Sequence, residues 1–484
     1  MRRLIPLLAV LVLTSACTVG PDYVKPEVDT PERWRITLEE STEAINTAWW
    51  QQFSDPTLDR LIDTALRNNR DVRIAAARVM EFAARIDVAN ADRLPQLGYD
   101  GFAARSKSLV PGGGSITDNN FQATLNAGWE LDIWGRIARA TEAARANLLA
   151  AAENRRSVIL TLVSTVATSY IQLLNLDQQL AIVHQTVESR HESLELFQTQ
   201  FEGGVISELE LAQVRSEYEL ARVRIPEVER QIALLENALS VLLGNNPGSI
   251  ERGGPMDALT APPVPVGIPS TVLAGRPDIL AAEQQLISAN AQIGVARAQY
   301  FPVISLTGLF GYASTDLSEL LQSSSNIWSV GGGLFGPIFD GGRIGGNVRA
   351  SEAVQRQALV NYLKVVQQAF REVDDALINT AKTREILAAQ KRHVDALRDY
   401  ARFARLRYDE GQVSYIEVLD ADRRLFDAEL GYESNQADVY TALVSVYKAM
   451  GGGWVAEAVQ AADTVDFPQP TQAEPAKPQA RDGD

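Results

Sequence analysis

One cysteine, three histidines and four methionines in 484 residues leave little reactive chemistry, and each scarcity closes a class of function. A single cysteine forms no disulfide within the chain. His184 and His191 stand seven apart, two turns along one helix face and too distant to share a metal, and His393 has no partner nearby in sequence. His191-Glu192 lacks the second histidine of a zinc-protease helix, and Gly331-Gly332-Gly333 lacks the lysine of a phosphate loop. Four methionines make no ladder for a soft metal. Basic charge is also short: 45 Lys and Arg against 61 Asp and Glu set the net charge at −16, so phosphates are repelled and nucleic acid is excluded as a partner. The same imbalance fits either an acidic solvated exterior or an acidic, cation-attracting lumen. Past the first twenty residues, no uninterrupted apolar stretch suffices for a transmembrane helix.

The N-terminus reads as an export signal. Arg2 and Arg3 form a charged region, Leu4 to Leu13 an apolar one, and Thr14-Ser15-Ala16 a small-residue cleavage site directly before Cys17. That position suggests a lipobox, with residues 1–16 removed and Cys17 carrying a covalent lipid, the only non-protein group expected; the alternative is an ordinary signal peptide with an incidental cysteine. Thr14 stands where lipoboxes usually carry Leu, Val or Ile. Thr18 is not the Asp that commonly holds such lipoproteins at the inner membrane, which favours the outer one. Removing Arg2 and Arg3 with no acid takes the net charge to −18.

A duplication at constant spacing fixes the architecture. Ile86-Asp87-Val88-Ala89 before Pro95 matches Ile293-Gly294-Val295-Ala296 before Pro302. Trp134-Gly135-Arg136-Ile137 matches Gly341-Gly342-Arg343-Ile344, Gly203-Gly204 matches Glu410-Gly411, and Leu243-Gly244 matches Met450-Gly451. Every pair is 207 residues apart, so the chain is two copies of one unit. Each copy reads helix, two strands, long helix, turn, helix. The expected division is a lipidated equatorial segment 17–56, repeat 1 over 57–245, a linker 246–275, repeat 2 over 276–452, and a tail 453–484 whose proline-rich end should be disordered. In repeat 1 the first helix is expected as one piece over 57–93, strands at 97–107 and 119–131, the long helix at 136–202 and a returning helix at 208–243, kinked at Pro226. Repeat 2 should place strands at 303–313 and 326–337, the long helix at 342–409 and the return at 415–450.

No proline or glycine interrupts 136–202, which predicts a helix of nearly 100 Å at about 1.5 Å per residue. Val166, Leu173, Leu180, Val187, Leu194 and Phe201 recur every seven residues, with Leu176, Val183 and Phe197 three residues after members of that series, a coiled-coil seam. In the strands, Phe121, Ala123, Leu125, Ala127 and Trp129 alternate with Gln122, Thr124, Asn126, Gly128 and Glu130, as a wall between lipid and water must. Alternation in the second copy is less clean. Four strands per chain cannot close a barrel, open edges are not tolerated in lipid, and twelve leave an open lumen where eight do not, so the pattern predicts a trimer.

Cys17-Thr18-Val19-Gly20-Pro21-Asp22-Tyr23, Trp49-Trp50 with Asp55-Pro56-Thr57-Leu58, Leu131-Asp132-Ile133-Trp134-Gly135-Arg136, Gly275-Arg276-Pro277-Asp278 and Gly336-Pro337-Ile338-Phe339-Asp340-Gly341-Gly342-Arg343 together resemble NodT-type, TolC-like outer-membrane factor lipoproteins of tripartite efflux pumps. The resemblance covers residues 17 to about 455. It implies a mostly α homotrimer in which a 12-stranded outer-membrane β-barrel continues into a 12-helix periplasmic α-barrel. It also implies passive export of drugs and toxic small molecules, a periplasmic adaptor and an inner-membrane pump of the resistance-nodulation-division class as partners, contact with outer-membrane lipid, no cofactor and no enzymatic activity.

Carried onto this sequence, the resemblance nominates Gly204, Val205, Ser207, Gly411, Gln412, Val413 and Ser414 as adaptor-contacting tips, although the glycines also serve simply to reverse a helix. It nominates Ile416, Glu417 and Asp420 as the periplasmic constriction, with an acidic ring behind an apolar one; the alternative for the two acids is a solvated helix face. Some members close the tip with an arginine two residues after the turn glycine, where this chain has Val413. Three other readings stand beside the efflux duct: an exit channel for type I protein secretion, a non-conducting periplasmic scaffold lipoprotein, and a periplasmic hydrolase for which no catalytic constellation is found.

Overall fold

The computed structural model describes residues 18–36, 48–109, 112–264, 272 and 274–451. The signal peptide, Cys17, the turn residue Pro111 and the tail 453–484 lie outside the described residues. After a 3-10 turn at Trp49–Phe53 the chain runs α1 (Pro56–Asn68), α2 (Arg70–Ala91), β1 (Gln96–Leu109), β2 (Ser115–Leu131), α3 (Arg136–Glu202) and α4 (Glu208–Leu242). The second half runs α5 (Pro277–Ala298), β3 (Val303–Ser314), β4 (Asn326–Phe335), α6 (Arg343–Asp409) and α7 (Tyr415–Ala449).

The two halves are congruent in length. α3 and α6 each have 67 residues, α4 and α7 each 35, and α2 and α5 each 22, with every start offset by the same 207 positions. The first helix departs from expectation. It breaks at Asn69, whose side chain caps α2 by accepting from the N–H groups of Asp71 and Val72 while its amide donates to the Leu242 carbonyl. A capping asparagine ends one helix and starts the next without glycine or proline. α4 is continuous through Pro226. α3 also carries an apolar window long enough to cross a membrane, which the sequence reading missed; two-thirds of that window is buried inside the protein.

The four strands form one antiparallel sheet in the order β1-β2-β3-β4. α2 packs on α3, α3 on α5 and α5 on α6, so the helices stand in the same order as the strands they continue. Register resolves the uneven alternation of β3. Leu125 pairs with Tyr99 and Phe310, Phe310 with Trp328, Ala123 with Tyr312 and Trp129 with Leu306, all on one face. The opposite face carries Asp100, Gln122, Thr124, Asn126, Ser305, Thr307 and Ser329, and Asn126 donates to Asp100 there. One sheet face is therefore apolar and highly exposed, Tyr99 at 85% and Trp328 at 72%, and the other polar. Both outer strands, β1 and β4, present open edges in the single chain.

The core lies at the middle of the long helices, not at the sheet. Trp49, Phe53, Leu58 and Ile62 pack against Ile159, Val163, Val166 and Tyr170 of α3 and Tyr440, Val444 and Tyr447 of α7. Trp49 stacks on Tyr447 at 5.2 Å. Asp55 caps α1 through the Thr57 N–H at 2.7 Å and accepts the Tyr170 hydroxyl at 2.6 Å, while that hydroxyl accepts from the Gly253 N–H. Burial and this acidic partner push the Tyr170 phenol well above its ordinary range. The strap that follows α4 is clasped by Arg252, which pairs with Asp177 of α3 and Glu236 of α4. In the second half, buried Arg276 donates to the Ala449 carbonyl and pairs with Asp278 and Glu372 at 2.6 Å.

The seam of α3 shifts along its length. Val166, Leu173, Leu176 and Val183 are buried, but Leu180, Val187 and Leu194 are half-buried and Phe201 is exposed. Toward the tip the buried series is Leu176, Val183, Arg190 and Phe197. A helix with about 3.6 residues per turn drifts about 20° per heptad from a strict seven-residue repeat, which moves the contact from one series to its neighbour. On α6, buried Thr380 interrupts the apolar series and its hydroxyl is satisfied by the Ala376 carbonyl of its own helix.

Candidate functional site

The far ends of α3 and α6 turn by the same motif. Gly204 and Gly411 both have φ +73°, in the left-handed region that favours glycine. The Val205 N–H donates to the Gln200 carbonyl and the Gly204 N–H to Phe201; the Gln412 N–H donates to Arg407 and the Gly411 N–H to Tyr408. These paired bonds close each helix and launch the next within a few residues. The two tips differ at the start of the returning helix. Ser207 caps α4 in a reciprocal box with Glu210, whereas Ser414 makes no side-chain cap. Glu417, the counterpart of Glu210, is thereby released and pairs instead with Arg407 at 3.2 Å.

Behind the turns sits a small core that holds both hairpins together. Phe197 of α3 meets Tyr415 of α7 at 4.2 Å, and Tyr408 of α6 meets Tyr415 at 4.9 Å, with Leu211, Val214, Val418 and Ala421 around them. Gly204, Val205, Ser207, Gly411, Gln412 and Ser414 are exposed at the ends, Val413 is half-buried, and Gln412 donates to Glu410 at 2.6 Å. Ile416 projects 55% exposed, and its counterpart Leu209 on α4 is 69% exposed. The carboxylates at the site are not bare. Asp420 accepts from Arg423 and Arg424, each at 2.9 Å, so a proposed acidic ring carries its own cations.

One functional candidate escaped the sequence reading. Arg190 occupies a buried seam position, donates to the Glu217 carbonyl, pairs with the Glu217 carboxylate at 3.2 Å and lies over the Phe426 ring. Burial holds its guanidinium below its ordinary value, and burial pushes the carboxyl of Asp422 up despite Arg405 at 3.4 Å and Arg190 nearby. The heptad spacing would have found the position; only the expectation that seams are apolar hid it.

At the opposite end of α3 the first described residues are threaded against the foot of the sheet. The Val19 N–H donates to the Trp134 carbonyl, Asn290 donates to the Pro21 carbonyl, and Asp22 pairs with Arg139 at 2.6 Å. Gly20 has φ +112°, and a Cβ there would stand 2.5 Å from the Gly294 Cα. Asp132 and Asp340 each cap a long helix, accepting from the N–H groups of Ile137 and Ala138, and of Gly342 and Ile344. Thr18 therefore lies at the junction of sheet and helices, beside Gly135.

A one-sided apolar sheet, two of whose strands run on into helices of 67 residues while the other two follow helices of 22, defines a membrane channel with a long helical extension. A family model described as outer membrane efflux protein matches residues 61–245 and 268–452, again two spans offset by 207. The cation efflux system protein CusC of Escherichia coli O6:H1 is 37% identical over 463 residues, covering 93% of this chain and 99% of that protein. The solvent efflux pump outer membrane protein SrpC of Pseudomonas putida is 38% identical over 464 residues, covering 93% and 98%. A crystal structure of CusC, solved in work on folding and transmembrane channel formation, superposes with a TM-score of 0.82 at 36% identity, covering 90% of this chain and 100% of that one. The chain belongs to the outer membrane efflux protein family. It is a TolC-like outer-membrane channel of an efflux system, embedded in the outer membrane and extending into the periplasm.

Proposed function

We propose that three copies of this chain close a 12-stranded barrel in the outer membrane over a 12-helix periplasmic tunnel, and that the assembly passively conducts small toxic molecules outward. The observation that carries this is the pair of open edges on an otherwise two-sided sheet, β1 and β4, since edges exposed to lipid leave backbone groups unsatisfied. A lipid on Cys17 fits the placement of Thr18 at the foot of the sheet, where the inner leaflet of the outer membrane would lie. The tips at Gly204, Val205, Ser207, Gly411, Gln412, Val413 and Ser414 meet a periplasmic adaptor, which links the duct to an inner-membrane pump of the resistance-nodulation-division class.

Ile416 forms the constriction, with Glu417 and Asp420 behind it. Because Arg407, Arg423 and Arg424 partner those acids, the ring favours cations less than bare carboxylates would. The matched relatives are named for cations in one case and solvents in the other, and the duct accordingly leaves cargo choice to the pump.

The test is single-channel conductance of the purified protein in planar bilayers, comparing wild type with the Glu417→Ala, Asp420→Ala double variant. Small currents that enlarge or change selectivity in the variant support the gate. Failure of the protein to insert at all would sink the barrel.

A further inference from the structure

The apolar face of the sheet ends toward the same end of every strand, two residues earlier in register on β3 than on β2 and two earlier again on β4, and two basic side chains stand just beyond it on β1. Along β2 the apolar row runs Leu131, Trp129, Ala127, Leu125, Ala123 and Phe121, then changes to Asn119 and Thr117. On β3 it ends at Tyr312 before Ser314, and on β4 at Trp328 before Asn326. On β1 the row reaches Ala103, opposite Phe121, and continues with Arg105 and Lys107, opposite Asn119 and Thr117. From Leu131 to Phe121 is ten steps of about 3.3 Å, or about 25 Å in height at a strand tilt of about 40°. That matches the apolar band of a bacterial barrel, about 25 Å tall. Arg105 then lies about 5 Å beyond the hydrocarbon and Lys107 about 10 Å, across a headgroup layer about 6 Å thick.

Both side chains are exposed, and neither has an ion pair or hydrogen bond among the described residues. Acids at this end of the sheet lie off this row, Glu319 among them in the 3-10 turn of the β3–β4 connection. Asp118 pairs in register with Ser106, on the polar face, and Asp316 in the β3–β4 connection is engaged by the N–H and hydroxyl of Ser318. The lipid-facing row at headgroup height is therefore cationic in a protein whose net charge is −16. This end is the outer one, because the helices continue from the other.

We propose that Arg105 and Lys107 form an outward basic collar, repeated around the barrel, that binds the phosphate groups of anionic lipid in the outer leaflet of the outer membrane. The inference rests on the barrel reading above. The apolar band directly below the collar favours lipid over free phosphate, since acyl chains and phosphate are met by contiguous surfaces of one row. Lys107, the more distant, turns back toward the phosphates along its methylene stem.

Native mass spectrometry of the full-length assembly in detergent, titrated with bisphosphorylated lipid A and with the same lipid lacking phosphates, tests it. Wild type should retain the phosphorylated lipid with an affinity that falls as salt rises, and the Arg105→Gln, Lys107→Gln variant should bind it about tenfold or more weakly. The Arg105→Lys, Lys107→Arg swap should keep most of the binding, and Asp118→Asn, on the polar face, should leave it unchanged. Equal binding by the double Gln variant, or equal binding of the phosphate-free lipid, overturns the collar. Displacement by millimolar inorganic phosphate overturns the assignment to lipid. Conductance of the same preparations separates the two levels: a conducting channel without phosphate-dependent binding loses only the collar, whereas a preparation that never inserts loses the barrel itself.

Discussion

The guanidinium of Arg190 donates to the main-chain carbonyl of Glu217 at 2.6 Å, from a helix position where the seven-residue repeat otherwise buries apolar side chains. Its counterpart in the second repeat is Leu397, also buried. The two halves of the chain therefore share one backbone plan and differ in what fills it. On α3, burying a cation requires the Glu217 carbonyl, the carboxylates of Glu217, Asp422 and Asp427, and the Phe426 ring close by.

Arg190→Leu should restore the apolar repeat and nevertheless destabilise the tip, because Glu217 loses its cation and Asp422 keeps only Arg405. A loss of about 1–3 kcal/mol is expected, the usual cost of leaving a buried charged partner unmet. Adding Asp422→Leu should recover part of it. Thermal unfolding of the purified assembly checks the order: the single variant should melt lowest, and a single variant as stable as wild type would contradict it.

Asp55 serves a helix cap and a buried phenol at once, so Asp55→Ala should cost about 2–4 kcal/mol. Asp55→Asn should cost less, because it can still cap α1. Tyr170→Phe removes the second role together with the acceptor of the Gly253 N–H. If Asp55→Asn destabilises as much as Asp55→Ala in melting experiments, the cap contributes nothing.

Glu433 supplies a pH dependence whose sign is fixed. Burial first, then Asp257 and Glu429, raise its carboxyl from 4.5 to about 7, and its Oε2 is buried without a hydrogen bond. The folded protein thus keeps a proton that the unfolded chain gives up between those values. Stability contributed by this group is present at low pH and falls as pH rises through that window. Glu433→Gln should flatten the slope of melting temperature between pH 4.5 and about 7 and melt higher than wild type above it. Parallel curves for the two proteins would dismiss Glu433 as the source.

At the tip, Arg423→Ala with Arg424→Ala should strip Asp420 of both partners. Reversal potentials across a salt gradient should then shift toward cation selectivity, in the opposite direction to Asp420→Ala. No shift in either variant would place Asp420 away from the conduction path.

Much of this molecule is legible in its sequence because length and period carry the information. A 67-residue helix needs only an uninterrupted run, and a membrane-facing strand needs only alternation. What stayed hidden depends on contacts that spacing does not encode. The break at Asn69 comes from a side-chain cap between two helical stretches, with neither glycine nor proline to announce it. The Arg407–Glu417 pair spans a turn, and Glu417 is free to make it only because Ser414 does not recruit it as Ser207 recruits Glu210. Arg190 was passed over because its type contradicts the pattern that its position obeys.

The equal lengths of α3 and α6, and of α4 and α7, impose a rule on change. Both hairpins must reach one plane for a ring of tips to form, and each long helix rises about 1.5 Å per residue. A four-residue insertion in one alone would lift its hairpin about 6 Å out of that plane and rotate its seam off its neighbour. The tunnel can therefore drift freely by substitution, as Arg190 against Leu397 illustrates, but it can lengthen or shorten only when both repeats do so together.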